Sequence, residues 1–300
     1  MNDILAAGLQ LIAVQMIRSS GWDYSPYRIT ISWLLNIVTM YLIAMPITAL
    51  YFRSVPKFGQ VRHEQWEWKA WLVVFFIGLG MGYFGNILGI IVTNVTNAAS
   101  ADFEGMVEMI LDGNMLLTFV SVVIGAPIVE ELLFRKLLID RTIGYGEKIS
   151  VLLSGTLFGI AHGNFQQFFY AFALGCLFAY IYCKTGKIRN TILFHMWINF
   201  SGSILSPLLL RFAQAQGIYD EAGPSLTDPK ALAAMAGLVG FSAIQVLAAI
   251  TGLILFFVFK HYICFYPGIR EIPKGKRFLS VIVNPGMILF IGLCVYLFLP

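Results

Sequence analysis

Apolar residues run along this chain in blocks, and polar residues collect in the gaps between them. Nine blocks are legible, near residues 4–17, 29–51, 70–96, 115–134, 149–162, 166–183, 190–210, 231–259 and 278–299. A helix needs about 20 apolar residues to cross a bilayer. Six blocks reach that length easily, and 166–183 nearly does. The blocks at 4–17 and 149–162 are too short for an upright crossing and predict helices that tilt or embed only in part. No internal repeat, low-complexity stretch or soluble insertion interrupts the series, and the longest connection is about 211–230. The pattern predicts an all-α polytopic membrane bundle of about eight to nine segments, a single integral membrane domain over residues 1–300.

Composition points the same way. Of 300 residues, 58% are hydrophobic and 12% charged, against roughly a quarter charged in soluble domains. The net charge of +4 is modest. The basic residues do not interleave with aromatics on a soluble face, so no nucleic-acid partner is expected. The four cysteines, Cys176, Cys183, Cys264 and Cys294, lack CxxC spacing and read as small apolar packing residues. The first ten residues lack a basic n-region, so no cleaved signal peptide is expected.

Charge in the gaps alternates. Of the 20 Lys and Arg, 16 fall in one set of connections, around residues 53–69, 135–148, 184–189 and 260–277. The opposite set holds Arg18, Arg28, Arg211 and Lys230, and its loop 97–114 carries four acids and no base. Excess Lys and Arg mark the cytoplasmic side. The expected orientation has the N-terminus inside, most simply in the plasma membrane. Trp66, Trp68 and Trp71 read as an interfacial belt.

The stretch IVEELLFRKLL, residues 128–138, places Glu130 and Glu131 at the end of an apolar block. Glu131 and Arg135 form an i,i+4 pair with the acid first, the favoured order. Glu130 points about 100° away and must find a partner on another helix, become protonated or face a wet cavity. LFGIAHG places Phe158 and His162 on one helical face, and HMWIN does the same for His195 and Asn199. Two of the chain's four histidines thus lie in membrane segments. A carboxylate, two imidazoles and an amide on three helices are the groups hydrolysis needs. A carboxylate and an imidazole can deprotonate a water that attacks a carbonyl, and an imidazole and an amide can donate to the oxyanion that forms. Glu130 and His162 would activate water, and His195 and Asn199 would stabilise the oxyanion. Glu131 and Arg135 would brace the helix end. Each piece also has a structural reading: an interfacial ion pair, an interhelical hydrogen bond from a membrane histidine, a helix cap at Asn190, close-packing positions at Gly159, Gly163, Gly175 and Gly202. Glu130 and His162 also suit a proton path, and the fold a scaffold or immunity protein. No inverted repeat supports a transporter, and a scaffold has no need of Glu130.

Glu130–Arg135 resembles the EExxxR motif, Phe158–His162 the FxxxH motif and His195–Asn199 the HxxxN motif of the CAAX protease and bacteriocin-processing family of intramembrane endopeptidases. The resemblance covers about residues 115–205, the expected catalytic core. It implies a helical membrane enzyme whose site opens to the cytoplasmic side. Eukaryotic members remove three residues from prenylated CAAX tails. The resemblance also implies catalytic roles for Glu130 and His162, oxyanion roles for His195 and Asn199, and supporting roles for Glu131, Arg135 and Phe158. Membrane lipid and a peptide or lipidated protein are the implied partners. The family is described both as metallo- and as glutamate-type. The chain has no HExxH and Asn199 is a poor zinc ligand, so metal-free activation of water is expected; a divalent metal such as zinc would be held by Glu130, His162 and His195. His162 would lie about 20 Å along its helix from the basic face and Glu130 under 10 Å deep, so the short segment 149–162 is expected to run obliquely, with HGNFQQ below the outer surface.

Overall fold

Backbone amides removed from water must be paired within their own segment, so long apolar blocks fold as helices. The computed structural model describes residues 2–21, 23, 25–98, 101–218, 227–283 and 285–298. Among these residues every regular element is helical. In order they are α1 (Asn2–Ser19), α2 (Arg28–Arg53), α3 (Trp68–Thr96), α4 (Ala101–Asp112), α5 (Met115–Tyr145), α6 (Glu147–Ile160), α7 (Phe165–Thr185), α8 (Ile188–Ala215), α9 (Pro229–Tyr262), α10 (Arg277–Val281) and α11 (Pro285–Phe298).

Six of these, α2, α3, α5, α7, α8 and α9, are long and apolar enough to cross a membrane. The pattern had suggested eight or nine segments. The difference lies in α1 with 18 residues, α6 with 14, and the block at 278–299. That block is not one helix. α10 ends at Val281, and α11 starts at Pro285 and runs for 14 residues. A proline ring clashes with the preceding turn and is tolerated where a helix begins. Leu299 and the side chain of Cys294 lie outside what is described. Asn190 does not cap α8, because the helix already starts at Ile188.

Three spans share a local device. π-helical turns occupy Ile37–Ala44 in α2, Phe119–Gly125 in α5 and Ser201–Leu205 in α8. Each is followed, two residues on, by a proline: Pro46, Pro127 and Pro207. Proline lacks an N–H and collides with the carbonyl four residues back, and a turn widened to i→i−5 bonding relieves the collision. A fourth π turn, Leu132–Leu137, has no proline and begins directly after Glu131.

The chain divides into two compact units. The first comprises residues 1–56, 105–133 and 192–238. Within it α1 packs on α2, and Asn114 caps the start of α5 by accepting from Leu116 N at 2.9 Å. Arg211 donates to the carbonyls of Ile110, Leu111 and Gly113, closing the end of α4.

The second unit comprises residues 57–104, 134–191 and 239–300. Its helices approach through small residues, as membrane helices do when backbone contact replaces side-chain interlocking. A Cβ on Gly252 of α9 would collide with the Phe76 carbonyl of α3, and one on Gly85 of α3 would lie 2.5 Å from Tyr170 Cα of α7. Gly159 and Gly175 are close-packing positions between α6 and α7. Gly163 instead holds a left-handed turn at φ +66°, and a Cβ on Gly202 would meet nothing within 4 Å, so that position is not a packing contact. Cys176 lies against Gly155 and Cys183 is buried, as expected of apolar packing, whereas Cys264 is exposed.

A buried ion pair fixes the basic end of α7. Lys184 Nζ donates to Glu147 Oε2 at 2.6 Å, with both side chains at most 5% exposed. The ammonium also lies 4.1 Å from the Tyr266 ring centroid. Breaking a buried pair leaves an uncompensated charge, at a cost of about 3–5 kcal/mol. Lys184→Met is expected to lose about that much stability in reversible unfolding of the purified chain. The double variant Lys184→Met, Glu147→Leu is expected to recover only part of it, because Glu147 also accepts from Tyr266 N at 3.0 Å and pairs with Arg62 Nε at 3.5 Å.

Candidate active site

Glu130 and Glu131 follow Pro127 by three and four residues on α5. In the π register, the missing N–H of Pro127 would have bonded the Val122 carbonyl, five residues back. Asn199 Nδ2 of α8 donates to that carbonyl at 2.8 Å. One carbonyl earlier, Ser121 O accepts from Ala126 N–H and also from Tyr41 Oη of α2 at 2.7 Å. Gly125 gives the Tyr41 ring its room, since a Cβ there would lie 2.5 Å from it. The irregular turn before the two acids is therefore held from two neighbouring helices.

One helical turn before Asn199, His195 meets both acids. Its Nδ1 donates to Glu131 Oε1 at 3.2 Å. Its Nε2 lies 3.6 Å from Glu130 Oε2, an ion-pair distance that is long for a direct hydrogen bond. The acids differ in access. Glu131's side chain is 0% exposed and Glu130's is 31% exposed. Glu131 can serve only the protein around it, while Glu130 presents an oxygen outward. The partner that Glu130 lacked on its own helix is His195.

The remaining motif residues lie in the second unit. Arg135 is fully buried and its Nη1 donates to Ser154 Oγ at 2.9 Å. Ser154 Oγ donates in turn to Phe134 O at 2.8 Å. The guanidinium lies over the Phe158 ring at 4.7 Å from its centroid, a cation–π contact in a dry setting. Phe158 is buried and meets the His162 ring edge-on at 5.0 Å. His162 Nδ1 donates to Phe158 O at 2.8 Å. A carbonyl only accepts, so Nδ1 carries the proton and the neutral ring keeps its lone pair on Nε2. Asn164 closes the turn after His162, accepting from Gln167 N at 2.8 Å and donating to His162 O at 2.7 Å.

The structure thus brings Glu130, Glu131 and His195 together, with Asn199 beside them on α5's irregular turn. Arg135, Phe158 and His162 form a second local group. Two contributors were not singled out from the sequence. Tyr41 carries no motif. Ser154 does carry a signal, being one turn before Phe158 and two before His162 on the same helical row. For a divalent ion, the donor set is partly committed: His195 faces carboxylates through both nitrogens and His162 spends Nδ1 on a carbonyl. Among the described residues no group of three or more His, Cys, Asp or Glu is placed to hold a metal.

This is an all-helical integral membrane protein with an acid–imidazole cluster carried on two of its candidate spans. Residues 112–201, which contain all three motifs, match the model of the Rce1-like family, described as type II CAAX prenyl endopeptidase Rce1-like. A protein of Bacillus subtilis (strain 168) named "Putative membrane peptidase YdiL" is 28% identical over 176 residues, covering 54% of this chain and 67% of the relative. No solved structure matches the chain. Over the residues that carry the three motifs, the chain is therefore similar to that family of endopeptidases.

Proposed function

We propose that this chain is an intramembrane endopeptidase that hydrolyses a peptide bond near the end of a membrane-associated substrate, with a lipidated CAAX-type tail the first candidate. The observation that carries the reading is Glu130, a partly exposed carboxylate on a membrane helix, facing an otherwise buried imidazole. An intramembrane acid is costly and marks function by default. Glu130 removes a proton from the water that attacks the scissile carbonyl and returns it to the leaving amine as the C–N bond breaks. His162 shares that task through Nε2; its pairing with Glu130 rests on the family resemblance. His195, whose Nδ1–H is held by Glu131, donates to the developing oxyanion from Nε2 when that nitrogen also carries a proton, and Asn199 donates through its second amide N–H. In this reading the basic connections lie on the cytoplasmic side.

The experiment is direct. The full chain in proteoliposomes receives a farnesylated CAAX peptide, and released tripeptide is read by mass spectrometry. Cleavage that Glu130→Gln removes supports the reading; a wild-type chain that leaves CAAX peptides, leader peptides and membrane-protein tails intact overturns it. Water activation here needs no metal. Turnover is expected to survive exhaustive chelation within about twofold, whereas loss that zinc restores would establish a metalloenzyme.

A further inference from the structure

The segment after α9 combines two features that are seldom found together. It is exposed, and it is pinned. Tyr262 is 76% exposed and Ile269 78% exposed, with Ile263 also open. Yet the backbone is tied to the turn before α6 at three points. Glu147 N donates to Tyr266 O at 3.1 Å, Tyr266 N to Glu147 Oε2 at 3.0 Å and Arg270 N to Gly144 O at 2.9 Å. Gly268 fits directly on the Gly144–Gly146 backbone, where any Cβ would collide. On its inner side Phe265 meets Tyr180 edge-on at 5.7 Å, and the Tyr266 ring takes Arg62 at 3.3 Å. Residues 262–270 are therefore a fixed strap, with some aromatic anchors turned inward and Ile269 held outward.

Exposed together on one fixed segment, Tyr262, Ile263 and Ile269 form an apolar patch of the kind that marks an interaction or membrane surface. Two observations say what covers this one. The exposed row of α9, with Ile254, Phe257 and Val258, runs without interruption into Tyr262 and Ile263, so the strap continues the surface that faces lipid. The surrounding charge is of one sign: residues 260–277 hold five Lys and Arg and one Glu. Arg270 and Lys276 are both exposed, and among the described residues neither side chain has an ion-pair partner. Aromatic and aliphatic side chains mixed with unpaired cations suit the headgroup layer of an anionic leaflet, where each basic residue is worth roughly a factor of five in partitioning.

We infer that residues 262–270 form an interfacial strap that lies in the headgroup layer on the side of the basic loops, with Ile269 inserted among acyl chains and Arg270 and Lys276 holding anionic phospholipid headgroups. This is independent of the proteolytic reading. Two measurements on the full chain in nanodiscs test it. A nitroxide attached at Ile269→Cys, in a Cys264→Ser, Cys294→Ser background, is expected to collide more with oxygen than with a water-soluble nickel chelate; a label that reports bulk water overturns the insertion. Native mass spectrometry after reconstitution in mixed phosphatidylcholine and phosphatidylglycerol is expected to find phosphatidylglycerol enriched on the wild-type chain. Arg270→Gln with Lys276→Gln is expected to cut that enrichment at least about fivefold, while Lys148→Gln with Arg189→Gln leaves it. Equal enrichment in wild type and the strap variant, or equal loss in both variants, overturns the headgroup site.

Discussion

Glu130→Gln is expected to lower turnover by about 10²–10⁴-fold, the range a positioned acid–base group contributes, while leaving the folded chain in place. Glutamine keeps the length of the side chain and can still approach His195 Nε2, which lies 3.6 Å from Glu130 Oε2. It cannot accept a proton from water. Stability should not suffer, because the side chain is 31% exposed and a neutral amide is cheaper in a membrane than a carboxylate. Glu131→Gln is the informative contrast. That carboxylate has no exposure and accepts from His195 Nδ1 at 3.2 Å. Its replacement disturbs a buried hydrogen bond of a charged group, worth about 1.5–3 kcal/mol, so unfolding should shift as well as rate. Turnover numbers measured beside thermal unfolding separate the two outcomes. A Glu130→Gln chain with full turnover would remove the acid from the mechanism.

Much of the candidate site was legible because membrane chains penalise ionisable residues, and those that persist stand out against an apolar background. Glu130, Glu131, His162 and His195 were conspicuous for that reason alone. The period-four rows of Phe158 with His162 and of His195 with Asn199 followed from helical geometry. The partner of Glu130 was not legible. Spacing along one helix says nothing about which neighbour it faces, and two histidines were available. Nor was the use of Asn199 on the Val122 carbonyl foreseen. That contact follows from Pro127, whose lost N–H frees a carbonyl in the widened turn. Proline in a membrane segment was the available signal, and it repeats at Pro46 and Pro207. The block at 278–299 failed for a similar reason: apolar length counts residues, while Pro285 decides where a helix may start. Ser154 shows the converse case. It had the right register and was passed over because a single hydroxyl in an apolar helix reads as filler, yet it joins buried Arg135 to the Phe134 carbonyl.

His162→Ala is the second variant with a large expected effect, again about 10²–10⁴-fold in turnover, and it carries a signature that a packing role would not. The His162 ring is oriented by two contacts, the Nδ1 hydrogen bond to Phe158 O at 2.8 Å and the edge contact with the Phe158 ring at 5.0 Å. The first fixes which nitrogen bears hydrogen. Nitrogen-15 NMR of the histidine-labelled chain, with His162 assigned by its absence in His162→Ala, is expected to show a protonated Nδ1 and a free Nε2 in the neutral ring. The opposite tautomer would place the lone pair against a carbonyl and leave His162 unable to hold a water as base. Phe158→Leu tests the second contact. Leucine retains the backbone carbonyl, so the tautomer should persist, but the ring loses its edge-on neighbour and Arg135 loses the face 4.7 Å away. Turnover should then fall by roughly tenfold with the nitrogen spectrum nearly unchanged, the cost of about 1.4 kcal/mol in misplacing a correctly protonated group. A variant that kept full turnover while the tautomer inverted would show that His162 holds the fold and takes no part in the chemistry.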